Sequence, residues 1–167
     1  MTAVRVYVPA TFSALRRLAE RRTLGAPPLF GCAVTPDLRD WFPGGGDVEL
    51  DHVALTAAAQ ESMRLLAADA HETRRRVVLA VDVDSRVVTP DPAAGRTSVQ
   101  VDAEVLIADV VALYVDGEDA VEAISEATHA FDAADRGDAE ADRVVRSLED
   151  LELLWYGTQE IGDLLTS

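Results

Sequence analysis

Valines at positions 4, 6 and 8 alternate with Arg5 and Tyr7, and the alternation stops at Pro9. A period of two puts the valines on one face of a strand. From Phe12 the apolar positions switch to helical spacing through Leu15, Leu18 and Ala19, behind Thr11, whose hydroxyl suits an N-cap. Arg16, Arg17, Arg21 and Arg22 fall mostly off that stripe and read as a solvated helix face, with an anion site or a partner for acidic segments as the alternative. A second strand is expected over 29–34, followed by a short helix that opens at Thr35-Pro36 and stops at Pro43 and the glycines 44–46. Trp41 and Phe42, near its end, are expected to fold back onto the core. The glycine run lacks the Lys and Ser or Thr of a phosphate-binding loop and reads as a plain loop.

The clearest helical pattern covers 49–69, with Leu55, Ala58, Ala59, Ser62, Leu65 and Leu66 on one face. A strand over 77–84 follows, in which Val77, Leu79, Val81 and Val83 share one side and Val78, Ala80, Asp82 and Asp84 the other. Pro90, Pro92 and Gly95 mark a loop, and two more strands are predicted around Val99 and Val101 and over 111–115. Beyond Asp119 the pattern is helical, with a stripe of Val121, Ile124, Thr128 and Phe131, a break at Arg136-Gly137-Asp138, and a second stripe of Ala141, Val144, Val145 and Leu148. Ser147 with Asp150 resembles a capping box, so a last helix is predicted from about Glu149. That helix would carry "LELLWYGTQEI", with Leu151, Leu154, Trp155, Thr158, Ile161 and Leu165 on its buried face. On this reading Trp155→Ala would cost about 3–5 kcal/mol. The elements add up to one domain over 1–167, an α/β chain built as an α+β two-layer sandwich of about five strands, with helices on one face and a helical C-terminus.

Composition narrows the setting. No apolar run approaches the roughly 20 residues of a membrane span, and the N-terminus lacks a signal peptide's pattern, so a cytoplasmic protein is expected. The single cysteine, Cys32, sits in the apolar "LFGCAV" and reads as a small core residue. The net charge of −15 is unevenly placed: residues 1–80 hold ten Arg and nine Asp or Glu, residues 81–167 five Arg and twenty-one Asp or Glu. Such a surface repels phosphate backbones, which excludes nucleic acid as an expected partner. It is either a solvated, solubilising helical face or a docking face for a basic protein. All fifteen basic residues are Arg, which beside abundant Ala and Val looks like the imprint of a GC-rich genome, with a halophilic origin as the alternative.

Candidate chemistry is sparse. Tyr156, Gln159 and Glu160 lie at the edge of the last apolar stripe, where a phenol, an amide and a carboxylate are placed either to bind something polar or to cap a neighbouring loop. Asp82 and Asp84, two apart on a strand, point the same way and are the best pair for a hard cation such as Mg²⁺. His52, His71 and His129 are singletons without ligand spacing. No Gly-x-Ser-x-Gly, Cys-His pair or dinucleotide fingerprint is present, and no cofactor is expected. The leading expectation is a non-enzymatic interaction or regulatory protein with an acidic C-terminal helical face; the alternative is a small Mg²⁺-dependent hydrolase or transferase using Asp82 and Asp84.

The blocks "RVYVPATFSALRRL", "AVTPDLRDW", "RRVVLAVDV" and "EDLELLWYGTQEIGDLL", in that order from Arg5 to Leu165, resemble a family of short, uncharacterised actinobacterial proteins defined only as a domain of unknown function. The resemblance implies no activity and brings no functional residues. It does favour the GC-rich reading of the arginine bias.

Overall fold

The alternating valines of the N-terminus and the apolar run of 77–81 build the centre of one antiparallel sheet. The computed structural model describes residues 2–166. Its strands are β1 (Ala3–Ala10), β2 (Leu29–Cys32), β3 (Val77–Asp84), β4 (Val88–Pro90), β5 (Ser98–Val101), β6 (Val110–Val115) and β7 (Leu154–Tyr156). They lie in the order β4-β5-β2-β1-β3-β6-β7. Every neighbouring pair is antiparallel. β1 and β3 run side by side over their full length, from Ala3 opposite Asp84 to Ala10 opposite Val77. β1 and β2 approach so closely that a Cβ on Gly31 would stand 2.4 Å from Val6 Cγ1, so glycine is required there.

Among the described residues there are six α-helices: α1 (Phe12–Arg21), α2 (Pro36–Trp41), α3 (Asp47–Ala68), α4 (Val121–Asp135), α5 (Ala139–Arg146) and α6 (Ile161–Thr166). Thr11 and Thr35 cap α1 and α2 as their sequences predict, each hydroxyl accepting the amide three residues on (3.2 Å from Ala14 and 3.1 Å from Leu38). Among the described residues no helix is long and apolar enough to cross a membrane.

The period of two along β3 separates two cores. Val77, Leu79 and Val81 pack with Leu15 and Leu18 of α1 and Ile161 and Leu164 of α6. Val78 and Ala80 face the opposite way, against Tyr7, Cys32 and the alanines 54, 58 and 59 of α3. These small side chains let α3 lie close to the sheet, and Ser62 fixes it there by donating to Ala10 O (2.8 Å) while accepting from Val77 N (3.0 Å). α4 and α5 pack outside α3 around Met63, Leu66, Ile124, Phe131 and Leu148. The break between them falls where the sequence puts it: Gly137 adopts φ 92° and Asp138 caps α5.

Several expectations are corrected. The sheet has seven strands rather than about five, because β4 and β7 are three residues each, too short for an alternation to register. Helices cover both faces, so the two-layer sandwich gives way to a sheet enclosed between helices. The last helix does not begin near Glu149: residues Ser147–Asp150 form a 3₁₀ turn that continues α5, Ser147 donates to Val144 O instead of capping, and "LWY" is a strand. Trp41 and Phe42 do not fold inward, being 57% and 39% exposed, and Arg96 stacks over the Trp41 ring at 5.2 Å.

A buried ion pair ties the strand ends. Asp116, fully buried just after β6, accepts from the Arg76 backbone N–H (2.7 Å), from Nε (2.9 Å) and from Nη2 (2.8 Å). Arg76 Nη2 also reaches Leu151 O (3.2 Å), and Arg75 Nε donates to Asp116 O (2.8 Å) while its guanidinium lies over the Phe12 ring. A buried charge stripped of its partner is costly, so Asp116→Ala should lower the unfolding free energy by about 3–5 kcal/mol. The double variant Arg76→Met, Asp116→Leu should lose much less than the two single losses added together, as measured by urea denaturation. Additive losses would show that the pair does not hold the strand ends.

Candidate functional site

Asp82 and Asp84 leave β3 on one side, as their spacing requires, yet each already has a cation. Arg5, directly across on β1, binds Asp82 through Nε (2.6 Å) and Nη2 (3.2 Å). Asp84 accepts from the Arg86 backbone N–H (2.9 Å) and its guanidinium (2.7 Å to Nη2), and these hydrogen bonds hold its carboxyl below the ordinary range. The two carboxylates thus hold strand and turn rather than converging on one point. Among the described residues no three His, Cys, Asp or Glu side chains are grouped to hold a metal. His52, His71 and His129 are exposed and far apart in the chain, on α3, in the turn after it and on α4.

The C-terminal candidates have a different fate. Because Leu154, Trp155 and Tyr156 pair with Val115, Tyr114 and Leu113, their side chains alternate across the sheet instead of sharing a helical stripe. Trp155 is 61% exposed on the side of Tyr114, and Tyr7 meets the Tyr114 ring edge-on at 6.4 Å. Trp155 is therefore not a core residue. Tyr156 points the other way and packs beside the α1/α6 core. Glu160 caps the following 3₁₀ turn by accepting from Gly157 N–H (2.7 Å), and Gln159 is exposed.

Tyr156 and Glu160 meet in a cleft of about 380 Å³ whose wall also includes Leu154, Glu118, Asp119 and Asp163; Gln159 is not part of it. Two of the three predicted binding residues are thus brought together, joined by acids that the sequence reading did not single out. Gly117-Glu118-Asp119 lies in the turn after β6, and the pairing of β6 with β7 brings that turn beside Leu154 and Tyr156. Arg75 also lines the cleft, its Nε already bonded to Asp116 O. Carboxylates on an apolar wall suit a cationic group on an apolar stem, such as an arginine or lysine side chain. A second cleft of about 380 Å³ lies between the end of α1 and the 23–27 loop, with Arg17, Arg21 and Glu104 in its wall. Arg16, Arg17, Arg21 and Arg22 are all exposed, as the sequence predicts.

Fold and site together define a mixed α/β domain with an open antiparallel sheet and an acid-lined cleft at one edge. Residues 4–165 match the family of unknown function DUF6912, and the chain belongs to that family. No curated protein and no solved structure matches it.

Two outcomes follow. Trp155→Ala should change stability by less than about 1 kcal/mol, the scale of an exposed substitution, and a loss of 3 kcal/mol or more in chemical denaturation would put the ring back in the core. Burial pushes the Cys32 thiol up to about 11, so at pH 8 it should resist a thiol-specific chromogenic disulfide in the native protein and react fully once unfolded. Rapid native labelling would contradict that burial.

Proposed function

We propose that the protein is a non-enzymatic interaction protein whose acidic helical face takes a basic protein partner. The supporting observation is how few of the acids have an intramolecular cation. From Glu118 onward, among the described residues, only Asp135 and Asp142 are in ion pairs, with Arg64 and Arg146. Glu122, Glu126, Asp132 and Glu140 are exposed along α4 and α5. Crowded like charges disfavour the compact state, so a cationic partner relieves repulsion as well as making contacts. The arginines at the strand ends are engaged within the fold: Arg76 with Asp116, Arg5 with Asp82 and Arg86 with Asp84.

A partner recovered from native lysate and then purified provides the test. Its affinity should fall steeply as salt rises, because exposed charges are screened over about 8–10 Å near physiological ionic strength. Replacing Glu122, Glu126 and Glu140 together by Gln should weaken binding about tenfold or more without altering the thermal midpoint by more than a few degrees. Affinity indifferent to salt and to this triple change would overturn the reading.

A further inference from the structure

An open sheet has two edges, and here they differ. At one end β4 carries Pro90, which cannot donate a ladder hydrogen bond. At the other, β7 holds no proline, lysine or arginine. Its Leu154 and Trp155 are 48% and 61% exposed, and no strand pairs beyond it among the described residues. Edges of this kind are ordinarily blocked by charge, proline or a covering element. An uncovered edge with an exposed tryptophan suits a strand supplied by another molecule.

We propose that β7 is a docking edge at which an extended, arginine- or lysine-rich segment of a partner protein adds to the sheet. The proposal rests on the basic-partner reading above and names the segment and where it binds. An added strand alternates its side chains with the period of the sheet it joins. On the Trp155 side the incoming residues meet the exposed Trp155 ring, beside which the half-buried Tyr114 is paired on β6. On the opposite side, that of Leu154 and Tyr156, they meet the cleft with Glu118, Asp119, Glu160 and Asp163, whose carboxylates outnumber the Arg75 guanidinium in the same wall. A segment alternating apolar and basic residues therefore satisfies both faces at once.

Charge decides between this occupant and a second copy of the chain. Edge-to-edge pairing of two β7 strands would bring together two molecules of net charge −15. Exposed Glu149, Asp150, Glu152 and Asp163 lie close to the strand in sequence on each. Like charges set against each other across such an interface are strongly disfavoured. A cationic strand meets the same groups with attraction.

The probes are an acetylated, fluorescein-labelled peptide alternating Arg and Val, its counterpart alternating Glu and Val, and two forms of the Arg peptide N-methylated on one or the other set of alternate residues. In a Trp41→Phe background, which leaves Trp155 as the only tryptophan, anisotropy and Trp155 emission are followed together. The Arg peptide should bind and shift the emission, while the Glu peptide should not. One N-methylated form should lose about tenfold or more and the other should bind nearly as well, because only one edge of the added strand bonds to β7. Trp155→Ala and the double change Asp119→Asn, Asp163→Asn should each weaken binding by about fivefold or more while circular dichroism stays unchanged. Equal binding of both N-methylated forms, with loss only on changing Glu122, Glu126 and Glu140, would overturn strand addition and leave the acidic-face reading standing. Failure of the Arg peptide to bind even at low salt would overturn both. Concentration-dependent self-association in sedimentation that Trp155→Ala abolishes would overturn the choice of partner.

Discussion

Asp116 is a charge with no access to water, and the order at one end of the sheet follows from how it is satisfied. Removing a carboxylate from water costs several kcal/mol unless its oxygens are fully bonded. Here a backbone amide and two guanidinium nitrogens of Arg76 supply the bonds, and this geometry exists only if the first residues of β3 stand beside the last of β6. The same guanidinium holds Leu151 O, which fixes the chain just before β7. Arg75, anchored on Asp116 O, lies against Phe12 of α1. One buried pair therefore positions the turn at Gly117 and the entry to β7, which lead into two walls of the acidic cleft, and through Arg75 it is tied to α1.

Around that tie the two faces of the sheet are covered unequally. α1 and α6 lie on one face, and α3 with α4 and α5 outside it makes a thicker layer on the other. The difference has a residue-level cause. Alanines and Ser62 on α3 allow a close approach to the sheet and leave the outer side of α3 apolar enough, through Met63 and Leu66, to require a second helical layer. That second layer carries exposed acids along α4 and α5, so the requirement to bury α3 also displays the negative charge.

Charge and structure are divided between the halves of the chain. Arg74 binds the carbonyls of Leu66 and Asp69 at the end of α3, where the helix dipole favours a cation, while Arg75 and Arg76 serve the strand ends. Three consecutive arginines before an apolar strand carry this signal in the sequence, although a run of charge is equally at home on a solvated surface. The acids of the C-terminal half have no comparable supply of cations. Their excess and the uncovered strand β7 fall in the same region of the chain, and this coincidence connects the interaction reading with a definite edge of the sheet.

What the sequence by itself determined are the features set by neighbours a few residues apart. Alternating valines make β1 and β3, threonine caps start α1 and α2, and Gly137 divides α4 from α5, because backbone sterics and side-chain period are local properties. The family resemblance was legible in the same way, from ordered blocks of sequence. Tertiary structure decided the rest. "LELLWYGTQEI" meets a helical stripe as well as a strand, and only pairing with β6 and the Arg76 hold on Leu151 made its centre a strand and turned Trp155 outward. Asp82 and Asp84 have the spacing of a cation pair, yet the cross-strand approach of Arg5 and the turn at Arg86 engage them separately. The acidic cleft unites residues about forty positions apart, from Glu118 to Glu160. No local pattern encodes such a meeting, since it depends on which strands lie side by side, and that is decided by long-range burial and a single satisfied charge.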